Sequence, residues 1–174
     1  VLRLCTGIPD LTIVSSDIQK LLRNLFGKSA VLDFIALDST GKVYNIEVQN
    51  TDDEEYFGPR RARYYQSIMD ASLVPKSLTY NELPEMYIIF ITPFNPLKNK
   101  GHHKMMYAKH STLDGEDWDN GVHEIYLNAE VKEGTADPKD RWLGALSETV
   151  REQKGVKEEI VDMCKAVEDY AKVM

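Results

Sequence analysis

Apolar and polar residues alternate most regularly in two arms, residues 31–37 and 43–49, on either side of Asp38-Ser39-Thr40-Gly41-Lys42. The arms are rich in β-branched and aromatic residues and the loop carries glycine near its end, a pattern that predicts a β-hairpin. With Leu37 opposite Val43, Ile35 faces Asn45 and Asp33 faces Glu47. Side chains alternate along a strand, so Leu32, Phe34 and Ala36 share a wholly apolar face with Tyr44, Ile46 and Val48, which predicts core. The other face carries Asp33, Glu47 and Gln49 beside Ile35, Leu37 and Val43, and is expected to lie between solvent and core.

The same reading along the rest of the chain gives an α/β alternation. Residues 11–14 suit a short strand after the Pro9-Asp10 turn. Ile18, Leu21, Leu22 and Leu25 have helical spacing, with Ser16 as N-cap and Gly27 as stop, yet a strand over residues 20–26 competes and both stay open. Gly58-Pro59 opens a helix over residues 60–72, with Pro in the first turn where its missing N–H costs nothing. Arg60, Arg63, Tyr64 and Ser67 fall on one face of it, and Tyr65, Ile68, Met69 and Ser72 towards another. Residues 73–84 form a loop, and residues 86–91 are apolar on both faces, as in a central buried strand. Strands follow near residues 105–108 and 123–127. Helices over 141–151 and 156–173 complete the chain, the last with a stripe of Ile160, Met163, Val167 and Tyr170 suited to core packing or a homodimer contact. Residues 1–140 are thus expected to form one domain, with 141–174 a helical extension packed on it.

Composition narrows the class. A chain of 174 residues, 43% hydrophobic and 28% charged, is that of an ordinary globular domain able to bury a core without staples. No apolar run approaches the roughly 20 residues that span a bilayer, so no membrane association is expected. Cys5 and Cys164 lie at opposite ends and make neither a disulfide framework nor a metal pair, which fits a reducing cytoplasm. Val1 in place of an initiator Met suggests a trimmed longer protein. The net charge of −7 argues against a generic nucleic-acid coat, whose affinity comes from neutralising phosphates. One segment departs from that balance: residues 98–110 hold four Lys, three His and no acid, which suits a solvated loop or a contact with DNA phosphates, in a spacing that matches no zinc site.

The candidate chemistry centres on the hairpin. Directly opposed residues have Cβ atoms roughly 5 Å apart, and two carboxylates there repel unless something positive sits between them. A divalent cation taking oxygen ligands answers that need, and so does a Lys or Arg from elsewhere. The acidic run at residues 51–55 is a solvated connection or a further ligand. The three Arg between residues 60 and 63 either neutralise that run or offer their forks to phosphate oxygens.

The order and spacing of several stretches resemble a known family. Leu32-Asp33, Tyr44-Asn45-Ile46-Glu47-Val48-Gln49, Arg61-Ala62-Arg63-Tyr64-Tyr65-Gln66, Tyr80-Asn81-Glu82-Leu83-Pro84, Tyr87-Ile88-Ile89-Phe90-Ile91 and Ile125-Tyr126-Leu127-Asn128 are similar to the pattern of the Rpn family. These are recombination-promoting nucleases, also described as transposases, within the PD-(D/E)XK nuclease superfamily. The resemblance implies a restriction-endonuclease-like core, a mixed central sheet of four strands flanked by helices, with a helical C-terminal tail. It implies an endonuclease that hydrolyses DNA with a divalent metal, Mg²⁺ or Mn²⁺, held by Asp33 and Glu47. Gln49 stands where the superfamily more commonly has Lys and joins Asp33 and Glu47 as the expected catalytic set. Leu32 replaces the proline of the PD half, and little remains before Leu11 of the upstream segment that carries the family's first core helix. Arg60, Arg63, Tyr64 and Gln66 are the expected DNA contacts. The competing expectation is a nuclease-fold module that no longer cleaves and binds DNA or a protein partner.

Overall fold

The computed structural model describes residues 2–24, 27–52, 58–75, 77–96, 105–108 and 111–128. The acidic residues 53–55, most of the basic segment 98–110 and both C-terminal helices, with Cys164 and the 141–174 extension, lie outside the described residues. The elements run α1 (Leu2–Thr6), β1 (Ile13–Leu22), β2 (Ala30–Asp38), β3 (Val43–Val48), α2 (Pro59–Leu73), a 3₁₀ turn (Tyr80–Glu82), β4 (Met86–Thr92), β5 (Met105–Ala108) and β6 (Val122–Asn128). The strands form one six-stranded sheet in the order β1-β2-β3-β4-β6-β5. β4 runs parallel to β3 and β6, and the remaining pairings are antiparallel. The four strands β2, β3, β4 and β6 are the mixed core, with β1 and β5 added at the edges.

The hairpin forms in the register set by its residue pattern: Leu37 pairs with Val43, Ala36 with Tyr44, Ile35 with Asn45 and Phe34 with Ile46. Its loop closes through Gly41, whose φ of 88° lies in the region that favours glycine. Asp38 pins that turn. Its Oδ1 accepts from the Thr40 and Lys42 amides at 2.8 and 2.9 Å and from Thr40 Oγ1 at 2.8 Å, and its Oδ2 accepts from the Tyr44 hydroxyl at 2.7 Å. Burial pushes the Asp38 carboxyl up, but these four bonds outweigh it and hold the group below its ordinary value.

Three expectations change. The open segment is strand: β1 runs from Ile13 to Leu22, paired along β2 with a register shift between Ile13 and Ser15. A helix of two turns has little to hold it in isolation, whereas the neighbouring strand supplies a full ladder of backbone partners. Second, Leu32 does not share the face of Phe34 and Ala36; it packs with Ile35 and Val43 under α2. The alternation is interrupted where Gln19 stands between the pairs Ile18–Phe34 and Lys20–Leu32 with a φ of 52°, an uncommon left-handed conformation for a residue with a Cβ. Third, the face of Asp33 and Glu47 lies deeper than expected: Ile35, Val43, Glu47 and Gln49 are buried, while Asp33 is half-buried and Leu37 exposed. Both faces of the central strands are covered, one by the α1 segment through Leu2, Cys5, Ile8 and Leu11, the other by Ala62, Tyr65, Ile68 and Met69 of α2.

β4 is buried at every position, as its double-sided apolar sequence requires. Helix α2 starts at Gly58, where a φ of 133° admits only a residue free of Cβ strain, and Pro59 follows at its first turn. Tyr65, Ile68 and Met69 are on its buried face as expected; Ser72 is exposed, while Leu73 beyond it still packs against the core.

Asp38 yields a stability prediction. Asp38→Ala leaves the Tyr44 hydroxyl and two turn amides without their acceptor and is expected to cost about 2–3 kcal/mol in denaturant unfolding. Because the folded carboxyl lies below its unfolded value of about 4, its stabilisation is present above that pH and fades as pH falls through the lower folded value. Asp38→Asn is expected to remove that acid-limb loss, and an unchanged acid limb together with a midpoint equal to the parent's would contradict this role.

Candidate active site

The β2–β3 ladder ends at Phe34–Ile46, and one residue further on the two acids replace backbone pairing with a brace of their own. The Asp33 amide donates to Glu47 Oε1 at 3.1 Å, and the Val48 amide donates to Asp33 Oδ2 at 3.0 Å. Each carboxylate thus holds the other's strand where the hairpin opens. β3 meanwhile stays tied to β4 through Glu47 beside Phe90 and the Gln49 amide bonded to the Ile91 carbonyl at 2.9 Å. Glu47 is fully buried and Gln49 nearly so.

From the first turns of α2, Arg61 reaches into this fork. Its Nη2 donates to Glu47 Oε2 at 3.0 Å and to the Tyr65 hydroxyl at 2.7 Å, and its Nη1 donates to Gln49 Oε1. The guanidinium carbon lies 4.9 Å from the centre of the Tyr65 ring and 5.8 Å from that of Phe90. Gln49 is engaged at both ends of its amide, since Nε2 donates to the Thr51 carbonyl at 2.8 Å.

The electrostatics are those of a site short of positive charge. Burial pushes Glu47 up to about 8, the neighbouring Asp33 charge adds to the rise, and Arg61, the Asp33 amide and Asn45 pull against it. Asp33 is raised as well, by burial first, with the Val48 amide and Arg61 opposing. Tyr65 is pushed up to about 12 by burial and then by the Glu47 charge, so its hydroxyl stays protonated. One guanidinium does not offset two carboxylates in so dry a place.

Asp33 and Glu47 suit a hard divalent cation by that charge deficit and by their oxygen donors. Among the described residues no group of three His, Cys, Asp or Glu gathers as a closed metal cage. Two carboxylates fit the habit of Mg²⁺, which binds through one or two of them and completes its shell with water and phosphate oxygens.

The sequence-predicted residues separate into two sets. Asp33, Glu47 and Gln49 meet in the fork. Arg60 and Arg63 are exposed on the outer side of α2, Gln66 is half-buried, and Tyr64 is half-buried with its hydroxyl donating to the Lys28 carbonyl and accepting from Asn24 Nδ2 at 3.4 Å. Reasoning from sequence missed Arg61. The signal was present: Arg61 shares its helix face with Tyr65, Ile68 and Met69, and a charge on the buried face of an amphipathic helix needs a carboxylate opposite it.

Among the described residues no helix is long and apolar enough to cross a membrane. No curated protein matches the chain. A model of the PD-(D/E)XK nuclease family transposases matches residues 4–174, nearly the whole chain and all of the elements above from β1 onward. PD-(D/E)XK nucleases generally use divalent metals, and the mixed sheet with its flanking helices is their restriction-endonuclease-like α/β fold. With a braced Asp–Glu pair at the opening of its central hairpin, the chain belongs to the PD-(D/E)XK nuclease family transposases.

Proposed function

We propose that this protein is a metal-dependent DNA endonuclease of the recombination-promoting type, hydrolysing phosphodiester bonds at the fork between β2 and β3. The observation that carries the reading is the mutual brace of Asp33 and Glu47, which sets two carboxylates side by side in a buried place short of positive charge. Asp33 and Glu47 would hold Mg²⁺ or Mn²⁺. A divalent ion there supplies charge stabilisation at the phosphate and a lowered pKa for the attacking water.

The protein's own residues do the rest. The Asp33 and Val48 amides fix both carboxylates without using a flexible side chain, so the pair keeps its spacing as substrate arrives. Phe90 and Tyr65 flank the Arg61 guanidinium where it reaches the buried Glu47. Arg60 and Arg63, on the exposed side of α2, would meet the DNA backbone, with Tyr64 and Gln66 flanking them. Two exposed arginines on one helix face give a chain of net charge −7 a local positive surface for a polyanionic substrate.

A second reading, a nuclease-fold module that binds DNA or protein without cleaving, draws support from Arg61, which already neutralises part of the charge on Glu47. Cleavage separates the two readings.

In plasmid nicking, the parent is expected to cut with Mg²⁺ or Mn²⁺ and to stop with chelator, and Asp33→Asn and Glu47→Gln should each lower the rate by about 100-fold or more, the loss of a few kcal/mol of charge stabilisation. Nicking that survives chelator or both substitutions sinks the assignment. For DNA binding, Arg60→Ala/Arg63→Ala should weaken affinity equally across unrelated sequences and make the slope of log K against log salt shallower by about 2. A slope equal to the parent's would place that helix face off the DNA.

A further inference from the structure

Among the described residues three acceptors hold the Arg61 guanidinium, and one of them is the acid it neutralises. Glu47 Oε2 takes one donor, Gln49 Oε1 another, and the Tyr65 hydroxyl, one helical turn on, a third. The side chain is 26% exposed and Glu47 not at all, so the guanidinium lies between that carboxylate and the solvent. Each Glu47 oxygen already takes one donor in this arrangement: Oε1 accepts from the Asp33 amide and Oε2 from Arg61.

A hard divalent ion ligated by Glu47 must approach one of those oxygens to within about 2.0–2.6 Å. A divalent ion and a guanidinium on the same carboxylate oxygen repel one another, so each weakens the other's hold on Glu47. The Asp33 amide belongs to the backbone of β2 and cannot leave without opening the strand, whereas Arg61 is a side chain with two other acceptors waiting.

Resting on the metal-dependent reading above, we propose that Arg61 is a resident counter-ion that a divalent cation displaces from Glu47, and that Gln49 and Tyr65 keep the displaced guanidinium at the mouth of the site. Arg61 is then a positioning residue with two states: paired with Glu47 when no metal is bound, and released from Glu47 but kept by Gln49 and Tyr65, facing incoming phosphate, when one is. The amide at position 49 is what this arrangement requires. A lysine there could not accept a hydrogen bond from Arg61 and would set a second positive charge against it. The positive charge that the superfamily's lysine places on the strand is carried in this chain by α2, and Gln49 is its tether.

Calorimetric titration of the full chain with Mn²⁺, without DNA, tests this apart from catalysis. If the Arg61-released state makes up about a tenth or less of the metal-free protein, removing the competitor raises apparent affinity by about tenfold or more, so Arg61→Gln should bind Mn²⁺ that much tighter while nicking more slowly. Adding Gln49→Lys to Arg61→Gln should recover nicking, whereas Gln49→Lys alone should lose it. Should Arg61→Gln fail to fold, the unmutated protein gives the same answer by NMR: a guanidinium pinned by three acceptors shows resolved, slowly exchanging Nη resonances, and these should shift on addition of Mg²⁺. A parent that binds Mn²⁺, with Arg61→Gln binding no tighter or with Arg61 resonances unmoved by saturating Mg²⁺, overturns the displacement and leaves the metal-dependent reading intact. A parent that binds neither ion removes both.

Discussion

A carboxylate buried in the middle of a sheet is the constraint from which the rest of this structure follows. Glu47 occupies a position that the neighbouring residues of β3 and β4 would fill with a branched aliphatic, and its burial carries a desolvation cost that must be met by bonds. The Asp33 amide meets part of it, and that bond is available only because the β2–β3 ladder stops one pair earlier. Asp33 in turn takes the Val48 amide, so the opening of the hairpin and the pairing of the acids are one arrangement. The remaining charge fixes the placement of α2, because Arg61 must reach Glu47 while Ala62, Ile68 and Met69 cover the apolar surface beside it.

The two sides of α2 therefore have different work. Its inner side joins the core and the site through Arg61 and Tyr65, and its outer side carries Arg60 and Arg63 in solvent. Three arginines within four residues look like one basic patch in the sequence and are two in the structure. The distinction matters for chemistry, since the inner arginine is part of the local charge balance at the carboxylates and the outer ones are open to a polyanion.

What could be read in advance follows from where the physics is local. The hairpin register was legible because alternation and turn chemistry act over a few residues, and Leu37–Val43 to Phe34–Ile46 form as the pattern requires. The buried strand β4 was legible for the same reason, being apolar on both faces between prolines. The facing of Leu32 was not, because an irregularity in β1 near Gln19 interrupts the alternation from across the ladder. β1 itself was ambiguous since its residues are largely exposed and carry little periodic signal; the ladder to β2, not its own pattern, makes it a strand. At the site, Asp33 and Glu47 emerged from cross-strand geometry, while their brace, in which side chains cap each other's backbone, depends on how the strands separate. Arg61 was hidden by spacing that grouped Arg60 with Arg63, although its place on the apolar face marked it as a charge needing a partner. α1 spans five residues, too few for a periodic pattern to show.

The central claim is that Asp33 and Glu47 together hold a divalent cation. Anomalous diffraction from crystals soaked in Mn²⁺ tests it most directly. The account predicts a single strong peak in the fork, within about 2.0–2.6 Å of an oxygen from each carboxylate. Full occupancy of Mn²⁺ elsewhere, with the fork empty and Arg61 still bonded to Glu47, would contradict it.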